Sequence, residues 1–306
     1  MRPTDDVIHT NVSRPGPKEA RVLARLRDVV TTHPRIGRGV ALRSFEGGPF
    51  VDGASETPAS EETPTLVFLH GRGHAAPIWV DWLISFGATR RVAAIDLPGF
   101  GHSGAAPLSP GAEGGLAFFA DPIEDVLAKK GPVVLVGHSL GGLVALELAL
   151  RRAVEVRALV LVAAMGLSPI VSARARAYLR FGPERLAKVK AALPFLADAS
   201  GRGDIAELRE ELYLVRGGRP EAKRAFDSML PLVGPAFHRQ TELGRVDVPT
   251  LLIWGSDDEA FPLPIAIDAA SRIPRADLRV LGRGHSPHLE ASDESIRAVR
   301  GFVESL

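Results

Sequence analysis

The 306-residue chain reads as an α/β protein: a mostly parallel sheet flanked by helices, with an α-helical cap inserted late in the sequence. Three observations predict it. Short apolar runs of strand type alternate with helical segments along most of the chain, the pattern of a parallel sheet covered on both faces. The run Val133-Val134-Leu135-Val136 passes through one serine, Ser139, into a helix from Leu140 to about Arg152. From Gly166 to about Arg245 the strand rhythm stops. There, ERLAKVKAALPFL, IAELREELYLV and similar stretches, separated by Gly and Pro, read as a cap, because structureless loops of that length are rare.

In chain order, Lys18 to about Thr32 predicts an amphipathic helix with Val22, Leu26, Val29 and Val30 on one stripe. Gly39–Phe45 and Pro49–Val51 could form a hairpin turning at Gly47-Gly48. A polar connection, residues 53–64, leads to a buried strand at Thr65–Leu69, which ends in His70-Gly71-Arg72-Gly73-His74. Val92–Ile95 is the next strand, stopped by Asp96-Leu97-Pro98-Gly99-Phe100-Gly101-His102-Ser103, and Pro122–Lys130 is a helix candidate. Strands follow at Ala158–Val162, Thr250–Trp254 and Leu278–Leu281. The expected division is an N-terminal extension over 1–38, a core over 39–166 and 246–306, and a helical cap over 167–245.

Composition removes several function classes. Lys and Arg total 37 against 36 Asp and Glu, so no charge field favours nucleic acid or an anionic membrane surface. A small, uncharged or weakly charged molecule is the expected partner. There is no cysteine, which excludes disulfides, thiolate catalysis and Cys-ligated metal. The first twenty residues lack the apolar segment of a secretory signal, and no apolar run reaches membrane-spanning length. A cytoplasmic protein without membrane insertion is therefore expected; no feature specifies an oligomer.

Gly137-His138-Ser139-Leu140-Gly141 has the spacing of a strained strand-to-helix elbow that holds a hydroxyl in the open, because side chains at the two glycines would collide with neighbouring backbone. A serine hydroxyl needs a base, and the base an orienting acid. Two acids, Asp257 and Asp258, follow the strand at Thr250–Trp254, and two histidines, His285 and His288, follow the last strand.

With these residues in place, the chain resembles the α/β-hydrolase superfamily, specifically its cap-bearing members with a serine nucleophile. The resemblance runs from about Pro64 to the C-terminus and rests on five motifs in order: HG-x-G at His70, DLPGFGHS at Asp96, GHSLGG at Gly137, WG-x-x-D-x-x-x-P at Trp254 and GH-x-P-x-x-E at Gly284. It implies Ser139 as nucleophile, His285 as general base and Asp258 as the acid that orients it, with Asp257 and His288 as rivals. It also implies an oxyanion hole from the backbone amides of Arg72 and Leu140. His70, Asp96 and His102 are expected to be structural, and the Arg72 side chain to face solvent rather than an anionic substrate group.

The implied activity is hydrolysis of a carboxylic ester, thioester or lactone of a small, largely apolar substrate. No cofactor motif is present, and neither cofactor nor metal is expected. The alternatives are C–C bond hydrolysis or cofactor-free perhydrolysis by the same triad, and a non-catalytic ligand-binding member of the fold. Pocket candidates are His74, Trp79, Trp82, Tyr178, Phe181, Phe195, Tyr213 and Phe237.

Overall fold

A computed structural model describes residues 16–48, 63–105, 115–169, 223–224, 226–227 and 238–306. Its centre is an eight-stranded sheet in the order β1-β2-β4-β3-β5-β6-β7-β8. β1 (Val30–Gly37) and β2 (Val40–Gly47) form an antiparallel hairpin, and β2 pairs antiparallel with β4 (Val92–Ile95). From β4 onward every pairing is parallel, through β3 (Thr65–Leu69), β5 (Val133–His138), β6 (Val156–Val162), β7 (Thr250–Trp254) and β8 (Ala276–Val280).

The central strands are apolar on both faces because both faces are covered. Leu66, Phe68, Val134 and Val136 point into one cluster, with Val22 and Leu26 of α1 (Pro17–Leu26), Trp82 and Phe86 of α2 (Val80–Gly87), and Val299 of α7 (Ser292–Glu304). Val67, Leu69, Val133 and Leu135 point into the other. There they meet Phe119 and Ile123 of α3 (Gly115–Leu127), Leu143 and Leu146 of α4 (Leu140–Arg151), and Ala266 of α5 (Leu263–Arg272). The period-2 alternation thus divides one continuous apolar run between two cores, each large buried side chain contributing roughly 1.5–3 kcal/mol. A short helix, α6 (Pro287–Glu290), precedes α7.

The N-terminal reading needs correction. The helix ends at Leu26 rather than near Thr32, and the hairpin lies one arm earlier, with Gly37 opposite Val40. Val29-Val30-Thr31-Thr32 is a β-branched run, stiff at χ1 and better suited to a strand than to the last turn of a helix. The turn is Arg38-Gly39, both at positive φ (+50° and +74°), the geometry of the tightest hairpins. Arginine is not a usual residue for that position, so the turn carried no sequence signal. The sheet consequently includes residues 30–37, which the sequence had assigned to an extension.

α3 extends upstream of its expected start and carries Pro122 in its interior. Leu116, Phe119 and Ala120 are buried, and their packing outweighs the lost hydrogen bond at the proline. Gly37 of β1 lies directly against the Pro122 carbonyl, where a Cβ would not fit. Residues 163–249 connect β6 to β7, which pair directly in the sheet. The helices expected within this connection lie largely outside the described residues. Among the described residues, no helix is long and apolar enough to cross a membrane.

Candidate active site

The loops after β3, β5, β7 and β8 carry Arg72, Ser139, Asp258 and His285, all at the carboxyl edge of the sheet, where open α/β sheets bind ligands. Ser139 forms the elbow between β5 and α4 with φ +51° and ψ −114°, a conformation that costs a non-glycine residue about 1–3 kcal/mol. Backbone bonds hold it there. The Ser139 N–H donates to the Val162 carbonyl at 3.0 Å, and the Ser139 carbonyl accepts from the amides of Leu143 (3.2 Å) and Met165 (3.0 Å). A Cβ on Gly137 would strike the Gly141 carbonyl, and one on Gly141 would strike the Leu69 carbonyl. The two glycines of the motif are therefore sites of close backbone approach, and Ser139 is left only half-buried.

The loops after β7 and β8 are pressed together. At Gly255 a Cβ would meet the carbonyls of Arg283 and Gly284. The Asp257 amide donates to the Arg283 carbonyl at 2.7 Å, and the Leu281 amide to the Trp254 carbonyl at 2.8 Å. Across this seam His285 Nδ1 lies 2.9 Å from Oδ2 of Asp258. The Asp258 side chain is fully buried, and its Oδ1 accepts the amides of Ala260 (2.8 Å) and Phe261 (3.0 Å). A carboxylate oxygen accepts, so the hydrogen bond places the imidazole proton on Nδ1 and leaves a lone pair on Nε2. The rival Asp257 is exposed and bonded to Arg283 Nε at 3.0 Å. The hydrogen bond from Arg283, aided by Ser256, holds its carboxyl below the usual range.

Sequence reasoning gave no role to three groups that contact His285 or its loop. Glu290 accepts the Arg283 and Gly284 amides on one carboxylate oxygen, at 3.1 and 2.7 Å, and so fastens the loop that carries His285. It stood in the last motif, unread. His138 Nε2–H donates to the His285 carbonyl at 2.9 Å, linking the elbow to the loop after β8, and Phe261 meets the His285 ring edge-on at 5.3 Å. His138 stood inside the GHSLGG motif with no role assigned to it.

His70 and His288 lie in packed surroundings. His70 is fully buried; its Nε2 accepts the Leu97 amide (2.9 Å), so its Nδ1–H donates to the Gly71 carbonyl (2.8 Å). Burial pushes its pKa down, against the opposing pull of Asp96, and the ring is neutral. His288, on α6, packs on Trp79 and His138 with ring centroids 4.7 and 4.3 Å apart. Asp96 is buried and accepts the amides of Ala76 (2.6 Å) and His102 (2.8 Å) and Nε of Arg43 (2.6 Å). Arg43 and His102 both reach Glu19 of α1, a buried network the sequence did not foretell.

Leu140 opens α4, where the first amides of a helix lack intrahelical acceptors. Arg72 lies in a loop whose Gly71 abuts the elbow: a Cβ there would sit 2.7 Å from His138 Nδ1 and 3.2 Å from Ser139 Cβ. The Arg72 side chain, expected to face solvent, instead lays its guanidinium over the fully buried Phe226 ring, 4.1 Å from its centre. Phe226, from the inserted segment, thus covers a side chain expected to face solvent. Of the pocket candidates, His74 is buried and stacked on His138 at 5.4 Å. Trp79 and Trp82 are core residues packed around Phe68. Tyr178, Phe181, Phe195, Tyr213 and Phe237 lie outside the described residues.

Residues 66–298 match the alpha/beta hydrolase family. The chain is 30% identical to a 2-hydroxymuconate semialdehyde hydrolase of Pseudomonas putida, over 88% of this chain and 95% of that protein. It is also 30% identical to a pimeloyl-[acyl-carrier protein] methyl ester esterase of Aeromonas salmonicida (strain A449), over 78% and 95% of the two chains. Among solved structures it superposes on Est816, described as an N-acyl homoserine lactone degrading enzyme, with TM-score 0.65 and 25% identity, covering 88% of this chain and all of that one (100%).

Proposed function

We propose, from the premise that the chain belongs to the alpha/beta hydrolase family, that it hydrolyses a carboxylic ester, thioester or lactone of a small, largely apolar substrate through an acyl-enzyme on Ser139. One observation carries the reading: the 2.9 Å contact between His285 Nδ1 and the buried Asp258, on a loop that His138 joins to the Ser139 elbow. In the mechanism, Ser139 Oγ attacks the carbonyl carbon while His285 Nε2 removes its proton. The oxyanion that forms is met by the amides of Arg72 and Leu140, the latter at a helix N-terminus where the dipole adds to the bond. Collapse breaks the bond to the alkoxide, which leaves with the proton held on His285; water then enters by the same route and frees the acid and the serine. A positioned base contributes typically about 10²–10⁴ in rate, and each oxyanion donor about 10²–10³.

The activities named for two similar proteins, a methyl ester esterase and a lactone-degrading enzyme, fit this substrate class. The test is turnover of short p-nitrophenyl esters by the wild type and by Ser139→Ala. Loss of turnover in the variant is expected, and equal rates would refute the reading. A second reading, C–C bond hydrolysis by the same three residues, is favoured by the similarity to the 2-hydroxymuconate semialdehyde hydrolase. Assaying that semialdehyde beside the esters separates the two by kcat/KM.

A further inference from the structure

Two of the contacts described above meet at one residue. On its inner side, Arg72 sits between Gly71, which is pressed against His138 and Ser139, and Gly73 at φ +74°. The loop closes on itself through the His74 amide to the Gly71 carbonyl at 3.2 Å, and His70 Nδ1 donates to the same carbonyl at 2.8 Å. The backbone on both sides of Arg72 is thereby set against the elbow. On its outer side, the guanidinium carbon lies over the ring of Phe226, 4.1 Å from its centre, and Phe226 comes from the segment inserted between β6 and β7. Phe226 is fully buried and belongs to the same apolar cluster as Leu140, Leu143 and Met165 around the nucleophile. The returning end of that segment is tied down nearby: the Arg239 amide donates to the Gly166 carbonyl at 2.7 Å, and Arg239 Nε pairs with Glu147 of α4 at 2.7 Å.

We propose that the Arg72 side chain is a positioning residue that couples the inserted segment to the oxyanion hole: seated on Phe226, it holds the Arg72 amide in register with Ser139. The inference rests on the hydrolase reading, which gives that amide its role. The chemistry favours arginine for this contact. A planar guanidinium covers an aromatic face and is weakly hydrated, and a cation over a buried ring is worth more than one at an exposed ring. The carbonyl oxygen acquires charge only in the transition state, so a misplaced amide lowers kcat while leaving ground-state binding almost intact.

The experiment is a double-mutant cycle of Arg72→Met and Phe226→Leu, with Arg72→Lys beside it, on p-nitrophenyl acetate, whose small acyl group has little to lose from altered packing. Each single variant is expected to lower kcat about 5- to 20-fold with KM within about twofold. The double variant should be no slower than the worse single one, because both remove the same contact. Arg72→Lys should recover a substantial part of the loss. Multiplying effects, an effect confined to KM, or a lysine variant no better than methionine would overturn the proposal. If Phe226→Leu does not fold, the comparison of lysine with methionine at position 72 still decides it. Ser139→Ala separates the two levels: turnover independent of Ser139 refutes the hydrolase reading and this inference with it. Ser139-dependent turnover with independent effects refutes this inference alone.

Discussion

At the scale of single residues, two neighbouring carboxylates have opposite surroundings. Asp258 is sealed beneath His285 and accepts two amides besides the imidazole, whereas Asp257 stands in solvent beside Arg283. Asp258→Asn should cut kcat roughly 10³–10⁴-fold, because an amide in that place favours the wrong imidazole tautomer. Asp257→Asn should leave kcat within about twofold, since it loses only an exposed ion pair. Steady-state kinetics of the two variants on one ester checks this, and similar losses would contradict the assignment. The WG-x-x-D spacing singles out Asp258, and the two carboxylates differ in burial. There is no comparable hint for His138, whose bond to the His285 carbonyl depends on two loops meeting in space.

At the scale of elements, glycine has different consequences in different places. Gly141 touches the Leu69 carbonyl, so Gly141→Ala must displace either α4 or β3 and should lower stability by several kcal/mol. Gly301, in the last turn of α7, has open space where a methyl group would be added, with nothing within 4 Å, and ordinary helical backbone. Gly301→Ala should therefore raise stability by about 0.5–1 kcal/mol, through helix propensity alone. Urea unfolding of both variants is the check; a neutral Gly141→Ala would mean that the elbow is less tightly packed than described.

The same scale explains which elements were legible. β3, β4 and β7 could be read to the residue because each is an apolar run between polar or glycine-rich breaks. The β1–β2 hairpin could not, because its first strand lies at the sheet edge, carries Pro34 and alternates poorly, and its turn uses an arginine.

At the scale of the molecule, the N-terminal helix is fastened to the core through charge. Burial would raise the pKa of Glu19, but the hydrogen bond from His102 and the charge and hydrogen bond of Arg43 outweigh it, holding the group at about 2 against 4.5. A depressed carboxylate stabilises the fold above its unfolded value and loses that contribution as pH falls through the folded one. The window here runs from about 4.5 down to about 2, and roughly 2 kcal/mol should be lost by pH 3. Glu19→Gln should flatten the dependence of unfolding free energy on pH across that range; an unchanged slope would remove Glu19 from the account. This network joins α1 to the loop after β4, a long-range pairing that no local pattern of residues could announce.

The central claim is that loops after β5, β7 and β8 bring an alcohol, an imidazole and a carboxylate into one working chain. Its most direct test is intact-mass and peptide mass spectrometry after treatment with an alkyl p-nitrophenyl phosphonate. The expected result is one phosphonyl group per chain, on the peptide containing Ser139, formed in step with loss of esterase activity and absent from Ser139→Ala and His285→Ala. Esterase activity lost with Ser139 unmodified, or labelling at Ser139 that does not depend on His285, would contradict it.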